Sequence, residues 1–122
     1  MKKTIVFDFD GVIHSYTSGW QGVENIPDEP VAGIKEVIDA LRQRGYEVVI
    51  VSTRSATMAG TDAILNWLKK HNIEVDRVCS VKPPALVYVD DRAITFNGST
   101  DGLLEQIVNF RSWTEQLTSK ET

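Results

Sequence analysis

Short apolar runs alternate along the chain with segments of helical periodicity, and this alternation constrains the fold more than any other feature. The runs are rich in β-branched and aromatic residues and cover residues 4–9, 46–51, 75–81 and 86–89. Between them, residues 30–44 and 61–71 place apolar side chains three and four positions apart, which is the spacing of one helical face. We therefore predict an α/β fold in which a doubly wound parallel sheet is covered on both faces.

Five further segments complete the predicted organisation. Residues 14–29 hold glycines and prolines with little periodicity, which is typical of a loop or small flap. Residues 93–96 fit one more short strand, and residues 102–110 and 112–117 have helical patterns. Residues 118–122 are expected to form a frayed tail.

The composition is that of an ordinary globular chain, and we expect residues 1–122 to form a single domain. Hydrophobic residues make up 42% of the 122 residues, which is enough for one packed core. The formal net charge is -4, the sequence pI is about 5.1, and there is no basic tract. A nucleic-acid partner is therefore disfavoured but not excluded, because affinity for a phosphate backbone comes mainly from Lys and Arg.

The sequence lacks the marks of secretion and of membrane insertion. The apolar run near the start stops at Asp8, too early for a signal peptide, and no stretch approaches ~18 consecutive apolar residues. The single cysteine, Cys79, has no partner for an internal disulfide and is expected to be a small buried residue at a strand end. We expect a soluble, cytoplasmic protein with no membrane partner.

Charged and hydroxyl side chains follow the predicted strands at the points where those strands end. They are Asp8, Asp10, Ser52, Thr53, Arg54, Lys82, Asp90, Asp91 and Arg92. Because ligands of parallel α/β sheets bind beyond the carboxyl ends of the strands, we expect these side chains to converge on one edge. Carboxylates so placed repel one another unless a cation lies between them. Mg²⁺ is the predicted cofactor, since carboxylates, phosphate oxygens and waters are its usual ligands.

These polar segments, in this order, resemble the four motifs of the haloacid dehalogenase (HAD) superfamily of phosphatases. Residues 8–12, with the sequence DFDGV, resemble the first motif, and residues 52–53 resemble the second. Lys82 resembles the third motif and residues 90–91 resemble the fourth. The resemblance covers residues 4–98 and implies a Rossmann-like core with magnesium-dependent phosphatase activity.

The resemblance also implies a role for each motif residue. Asp8 would attack phosphorus and form an aspartyl-phosphate. Asp10 would protonate the leaving oxygen and then deprotonate the attacking water. Ser52, preferred to Thr53 because it matches the motif position, would hydrogen-bond a phosphoryl oxygen. Lys82 would offset the negative charge of the phosphate and of Asp8.

Metal and substrate ligands are implied in the same way. The residues that would hold Mg²⁺ are Asp8, Asp10 through its backbone carbonyl, Asp90 and Asp91. Which of the last two binds the metal directly is left open. Thr53, Arg54 and Arg92 are assigned to substrate binding, with a salt bridge to the acidic residues as the alternative for the two arginines.

Two branches of the superfamily match further residues. Residues 52–54 (STR) and 90–92 (DDR) resemble the S-G-R and D-D-R segments of the polynucleotide kinase-phosphatase branch, although Thr53 stands where that branch has glycine. Residues 82–94 resemble small phosphatases associated with capsular polysaccharide biosynthesis at more positions. Together with the acidic charge, this favours a small phosphomonoester such as a sugar phosphate; a polynucleotide 3′-phosphatase is the alternative.

The spacing of the motifs leaves no room for a folded cap domain. A capless site is open, so the flap at residues 14–29 or a second copy of the chain would have to close it over a small substrate. Two other classes are weighed: a receiver-type phospho-aspartate signalling module and a non-catalytic binding domain. The first is disfavoured because its phosphorylated aspartate lies on a later strand than Asp8 does.

Four aromatic residues lie outside the motifs. His14 is interpreted as a solvent-facing loop histidine rather than a substrate contact. Trp20 is expected to pack over the edge of the sheet, with stacking on a substrate as the alternative. Trp67 and Trp113 are expected to be packing residues.

Overall fold

The computed structural model describes the backbone of residues 2–120 and the side chains of residues 2–116. In chain order the elements are β1 (Thr4–Phe7), α1 (Ile34–Gln43), β2 (Glu47–Val51), α2 (Met58–Lys70), β3 (Arg77–Cys79), β4 (Val87–Val89), α3 (Leu103–Val108) and α4 (Trp113–Lys120). A short 3₁₀ helix, Thr53–Ala56, connects β2 to α2.

The four strands form one all-parallel sheet in the order β3-β2-β1-β4. Phe7 of β1 lies in register between Ile50 of β2 and Val89 of β4. The chain places β2 and β3 on one side of β1 and then crosses to place β4 on the other. The strand order therefore reverses between β1 and β4, and ligands of doubly wound sheets bind beyond the strand ends at such a reversal. The parallel α/β architecture is confirmed, and its strand order is consistent with a Rossmann-like fold.

The core is built on the two central strands. Alternate residues of β1 and β2 share one face of the sheet, and there they pack against the apolar faces of α1 and α2. The buried cluster includes Ile5, Phe7, Val48, Ile50, Ile38, Ile64, Trp67 and Leu68. Each large apolar side chain removed from water contributes about 1.5–3 kcal/mol, so this cluster holds both helices against the strands whose ends carry the site.

The starts of two helices and one expected strand differ from the prediction. α1 begins at Ile34 because Gly33 has a φ of 85°, in the left-handed region that a right-handed helix excludes. α2 begins at Met58 because the Thr57 hydroxyl accepts the backbone N–H of Gly60 and caps the helix. Residues 93–96 have no regular secondary structure, so the prediction of a strand there is wrong. They do not pair with the outer edge of β4, which leaves that strand at the edge of the sheet.

The predicted cover over both faces is incomplete near β4. Val87, Tyr88 and Val89 are between 36% and 48% exposed, and α3 contributes no buried residue. Residues 118–120 of the predicted tail lie in α4, and residues 121–122 fall outside the described part of the chain. β3 ends at Cys79, a free thiol that is partly rather than fully buried. No helix among residues 2–120 has both the length and the apolar character needed to cross a membrane.

Candidate active site

Three carboxylates meet at the carboxyl end of the sheet, where the strand order reverses. Asp8 directly follows β1, and Asp90 and Asp91 follow β4. The backbone N–H of Asp8 donates to the carbonyl oxygen of Val89 over 2.9 Å, which holds the two strand ends side by side. One carboxylate oxygen from each of the three acids lies within 4.8 Å of the others. Asp8, Asp90 and Asp91 are called the acidic cluster below.

Burial and mutual repulsion change the protonation of the acidic cluster. Burial first, and then the neighbouring charge of Asp90, raise the pKa of Asp8 from its ordinary 3.8 to about 7. Burial is also the largest cause that raises the pKa of Asp91 above its ordinary value. Without a cation, Asp8 therefore keeps its proton to a much higher pH than an ordinary aspartate does.

The acidic cluster contains an acceptor that none of the described protein groups satisfies. Oδ1 of Asp91 is buried and has no hydrogen-bond partner among the described residues. Leaving such an atom unpaired costs about 1–3 kcal/mol or more, and a hard cation would satisfy it. Gly11 preserves the space, because a Cβ there would overlap the Asp91 carboxylate and because its φ of 82° favours glycine. The residues present therefore fit a divalent cation such as Mg²⁺.

The carboxylate of Asp10 is held by other partners. Its Oδ1 accepts from Nδ1 of His14, and its Oδ2 accepts from Nε of Arg54, both over 2.8 Å. Burial by itself would raise the pKa of Asp10, but these hydrogen bonds and the Arg54 charge outweigh it and keep that pKa below its ordinary value. Asp8 and Asp10 lie two positions apart, yet their surroundings move their pKa values in opposite directions. Such divergence is typical of carboxylates with different catalytic roles.

His14 is fully buried, so the interpretation as a solvent-facing loop histidine is wrong. The backbone N–H of Asp28 donates to Nε2 over 3.0 Å. Nε2 therefore has no proton of its own, and Nδ1 donates to Asp10. The ring stacks on Phe9 and meets Trp67 edge-on. The apolar residues that directly precede His14 in the sequence are the signal for a buried turn.

Arg54 is fully buried and links the site to the flap, residues 14–29. Its Nη1 donates to the carbonyl oxygens of Gly22 and Val23, each over 2.8 Å. The half-exposed ring of Trp20 lies over the guanidinium, with 4.6 Å between Cζ and the ring centroid. Trp20 therefore packs on Arg54, where packing over the sheet edge was expected. Nη2 of Arg54 is buried without a partner among the described residues.

Ser52 and Thr53, the two candidates for the second motif, differ in exposure. Ser52 directly follows β2 and is buried, whereas the side chain of Thr53 is exposed. The Ser52 hydroxyl accepts the backbone N–H of Arg54 over 3.2 Å, and the Ser55 hydroxyl accepts the backbone N–H of Ser52 over 3.1 Å. This reciprocal cap fixes the turn that carries Arg54 into the site.

Two predicted cations lie in other contacts. The Nζ of Lys82 is 4.6 Å from the ring centroid of Tyr88, and Lys82 forms no ion pair with any acid that the structure describes. Arg92 donates from Nη2 to Glu115 over 2.9 Å, and its backbone N–H donates to Oδ1 of Asp90 over 2.9 Å. The roles assigned to Lys82 and Arg92 toward a substrate stay predictions.

The C-terminal helix contacts the first motif directly, which the sequence gives no means of foreseeing. Nε1 of Trp113 donates to the carbonyl oxygen of Gly11 over 2.6 Å, across 102 positions of sequence. The expectation that Trp113 only packs is therefore incomplete. Trp67 is a buried core residue, as predicted. α4 consequently forms part of the rim of the site.

Solved structures share this fold. A chain of the Pnkp1/Rnl/Hen1 complex superposes with a TM-score of 0.55 and 17% sequence identity, over 93% of this chain and 36% of that chain. A chain of the Pnkp1/Rnl/Hen1 RNA repair complex gives a TM-score of 0.55 and 16% identity, over 93% and 33% of the two chains. This protein thus spans about a third of the length of those chains. No family model and no curated protein sequence matches it. At this identity the likeness establishes the fold alone.

Proposed function

We propose that the chain is a phosphomonoester hydrolase of the HAD type, dependent on a divalent cation, that works through an aspartyl-phosphate on Asp8. The observation that carries the proposal is the acidic cluster at the strand reversal, where an oxygen of Asp91 is buried and has no hydrogen-bond partner in the part of the chain that the structure describes. A carboxylate cluster of this kind binds a hard cation, and such a cation attracts phosphate. The order of the four motifs along the chain supports the same reaction.

The reaction divides into two displacements at phosphorus. In the first, a carboxylate oxygen of Asp8 bonds to phosphorus, the bond to the alcohol oxygen breaks, and that oxygen takes a proton from Asp10. In the second, water attacks phosphorus and gives its proton to Asp10. The bond to Asp8 then breaks and inorganic phosphate leaves. Ser52 donates to a phosphoryl oxygen, and Lys82 offsets negative charge after its side chain leaves Tyr88.

The two hydrogen bonds that Asp10 accepts favour its ionised form, which the second displacement requires. Asp10 held by His14 and Arg54 is ionised, which is the state that accepts a proton from water. For the first displacement Asp10 must carry a proton. The negative charge of a bound phosphate raises the pKa of a nearby carboxyl group and promotes that protonation. Asp10 thus gains its proton when the substrate binds.

Mg²⁺ fits the site better than Zn²⁺ does. Asp8, Asp90 and Asp91 offer only carboxylate oxygens, which suit Mg²⁺, and the acidic cluster includes no thiolate or imidazole. The backbone carbonyl of Asp10 is the further protein ligand that the family motif implies. When bound, Mg²⁺ would neutralise charge on the transferred phosphoryl group.

The substrate we propose is a small phosphorylated metabolite, of the sugar phosphate type, in the cytoplasm. The acidic net charge of -4 supports a small anion over a polyanion, since a sequence without a basic tract offers little to hold a long phosphate backbone. We propose further that the chain is one domain without a separate cap. The flap at residues 14–29, or a second copy of the chain, would then exclude water from the site.

The test is hydrolysis of para-nitrophenyl phosphate by the purified protein. We expect turnover with added Mg²⁺, loss of turnover after chelation by EDTA, and recovery when Mg²⁺ is restored. Zn²⁺ at the same free concentration should restore less activity. Undiminished turnover after exhaustive chelation would contradict the proposal.

A second candidate is a phosphatase that acts on polynucleotide 3′ ends. The fold shared with a chain of an RNA repair complex favours it, as does the resemblance of residues 90–92 to the D-D-R segment. It predicts a much higher kcat/KM for a 3′-phosphorylated oligonucleotide than for any metabolite. It also predicts that this preference weakens as salt is added, because salt screens backbone contacts. Assays of both substrate classes at two salt concentrations separate the two candidates.

A further inference from the structure

A small cavity lies between the flap and α4, next to the acidic cluster. Its volume is about 170 Å³, which is enough for part of a small molecule but below the usual size of a whole ligand pocket. Three flap residues and three residues from the other side line it: Tyr16, Thr17, Gly19, Arg92, Thr114 and Glu115. None of the motifs described above assigns a function to this cavity as a whole.

The flap wall of the cavity is anchored to the candidate active site through Tyr16. The ring of Tyr16 meets the ring of His14 edge-on, with 6.0 Å between centroids, and His14 in turn holds Asp10. Tyr16 has a φ of 62°, in the left-handed region that a bulky residue rarely adopts. Such a conformation costs on the order of 1–3 kcal/mol and persists only where the surroundings hold it. The Tyr16 ring in the cavity wall therefore packs against the same histidine that holds Asp10.

The opposite wall is anchored at two points. Arg92 directly follows the acidic cluster in sequence, and its guanidinium pairs with Glu115 of α4 over 2.9 Å. One position before Thr114, the indole N–H of Trp113 donates to the carbonyl oxygen of Gly11. These contacts keep α4 against the first motif. Arg92 and α4 thus link this wall to the acidic cluster and to the first motif.

We infer that the cavity binds the alcohol part of the substrate, and that its chemistry selects a ring bearing several hydroxyl groups, such as a sugar. The assignment rests on the proposed function and deepens it. Arg92 donates hydrogen bonds, Glu115 accepts them, and the hydroxyls of Tyr16 and Thr17 can do both. Adjacent hydroxyls of a sugar need donors and acceptors side by side. The ring of Tyr16 adds an apolar face against which the C–H groups of the sugar can pack.

A sugar ring can reach the cavity as a free sugar phosphate or as the terminal ribose of an RNA. The charges of Arg92 and Glu115 cancel, so the lining offers no net positive charge to a second phosphate. A terminal ribose always brings a neighbouring backbone phosphate with it. The cavity therefore favours the free sugar phosphate.

Steady-state kinetics on the full chain with Mg²⁺ test this assignment. The substrates are ribose phosphate and glucose phosphate, each esterified on its primary hydroxyl, a 3′-phosphorylated oligoribonucleotide, and para-nitrophenyl phosphate, which has no sugar hydroxyls. The variants are Glu115→Gln and Tyr16→Phe, which remove one charge and one hydroxyl with little change of shape. Glu105→Gln, on the exposed face of α3, is the matched control. Thermal melting checks that each variant is folded.

The measured quantity is the ratio of kcat/KM for the sugar phosphate to kcat/KM for para-nitrophenyl phosphate. We expect this ratio to fall roughly 3- to 10-fold in Glu115→Gln and in Tyr16→Phe, mainly through KM, because the first variant weakens one hydrogen bond to the sugar and the second removes one. In Glu105→Gln the ratio should stay as in the wild type. A merely structural role would lower both rate constants together and leave the ratio unchanged, which would overturn the assignment.

Two other results separate failure of the cavity assignment from failure of the proposed function. Turnover of para-nitrophenyl phosphate without any preference for sugar phosphates overturns the cavity assignment alone. Absence of turnover with every substrate overturns the proposed function, and the cavity assignment with it. If the preference is for the oligoribonucleotide, and both variants reduce it, the free sugar phosphate is the wrong source of the ring.

Discussion

Arg54 donates a hydrogen bond from Nε to Oδ2 of Asp10 over 2.8 Å, and both side chains are largely removed from water. The same guanidinium binds two carbonyl oxygens of the flap. One buried cation therefore holds a carboxylate of the first motif and the loop that covers it. The position of the flap and the ionisation of Asp10 therefore depend on the same side chain.

Replacing Arg54 by Gln should destabilise the fold strongly. Removal of one partner from a buried ion pair costs about 3–5 kcal/mol, because the other charge stays buried without compensation. The matched control is Arg77→Gln, since Arg77 pairs with Glu47 at the surface, where such a pair contributes about 0–1 kcal/mol. Urea denaturation of both variants measures the difference in the free energy of unfolding. If the two variants have the same free energy of unfolding, the buried pair stabilises the fold no more than the surface pair does.

His14 acts on Asp10 as a positioning residue, and His14→Phe should change the pH dependence of turnover. The substitution keeps a ring of similar size in the aromatic cluster but removes the hydrogen bond that lowers the pKa of Asp10. The pKa of Asp10 should therefore rise, and the acidic limb of the kcat profile should move to higher pH. Because Asp28 also loses its acceptor, stability should fall by about 1–3 kcal/mol. An unshifted pH profile would mean that His14 contributes to packing but does not influence the protonation of Asp10.

Much of the site follows from local sequence patterns. Asp8 and Asp90 each end an apolar run, and in a parallel sheet the ends of neighbouring strands meet at one edge. The sequence does not predict that β4 lies beside β1; the sheet topology places it there. The same reasoning predicts Ser52 at the end of β2, and in the structure Ser52 directly follows that strand.

The contacts that could not be predicted join distant segments. The chain folds back so that Asp28 lies against His14, and the flap sequence has no periodicity that indicates this turn. The hydrogen bond from Trp113 to Gly11 spans 102 positions. Lys82 has a local pattern, but the ring of Tyr88, six positions further along the chain, competes for its ammonium group. In each case a tertiary contact decides the position of a side chain that local patterns leave free.

The raised pKa of Asp8 makes the stability of the metal-free protein depend on pH. The folded value is about 7 and the ordinary value is 3.8, so between them the folded state binds more protons than the unfolded state. Through this group the free energy of unfolding falls as the pH rises from 3.8 towards 7. Asp10 does not oppose this fall, because a lowered pKa changes stability only below the ordinary value. Asp91, whose pKa is also raised, acts in the same direction as Asp8.

Thermal melting in EDTA at about pH 5 and about pH 8 measures this dependence. The melting temperature should be lower at the higher pH, and Mg²⁺ should restore it there, because the cation binds the ionised folded state. Asp8→Asn has no carboxyl group at this position and should show a smaller fall. A fall of the same size in Asp8→Asn would assign the effect to other groups.

Gly11→Ala should weaken metal binding. Alanine at this position would push its Cβ into the Asp91 carboxylate and would also strain the backbone, where φ is 82°. Gly45→Ala is the matched control, since its φ of 87° gives the same strain while its Cβ would meet no atom within 4 Å. Each variant should lose about 1 kcal/mol from strain. The concentration of Mg²⁺ needed for half-maximal turnover should rise at least about tenfold in Gly11→Ala, a change of about 1.4 kcal/mol, and should not change in Gly45→Ala.

Turnover of para-nitrophenyl phosphate by Asp8→Asn in saturating Mg²⁺ tests the role of Asp8 as the nucleophile. The substitution keeps the shape of the side chain and removes the attacking charge, so kcat should fall by at least about 10³-fold. The exposed control Asp101→Asn should keep the wild-type rate, and thermal melting should show that both variants are folded. Turnover near the wild-type rate by folded Asp8→Asn would contradict the aspartyl-phosphate mechanism.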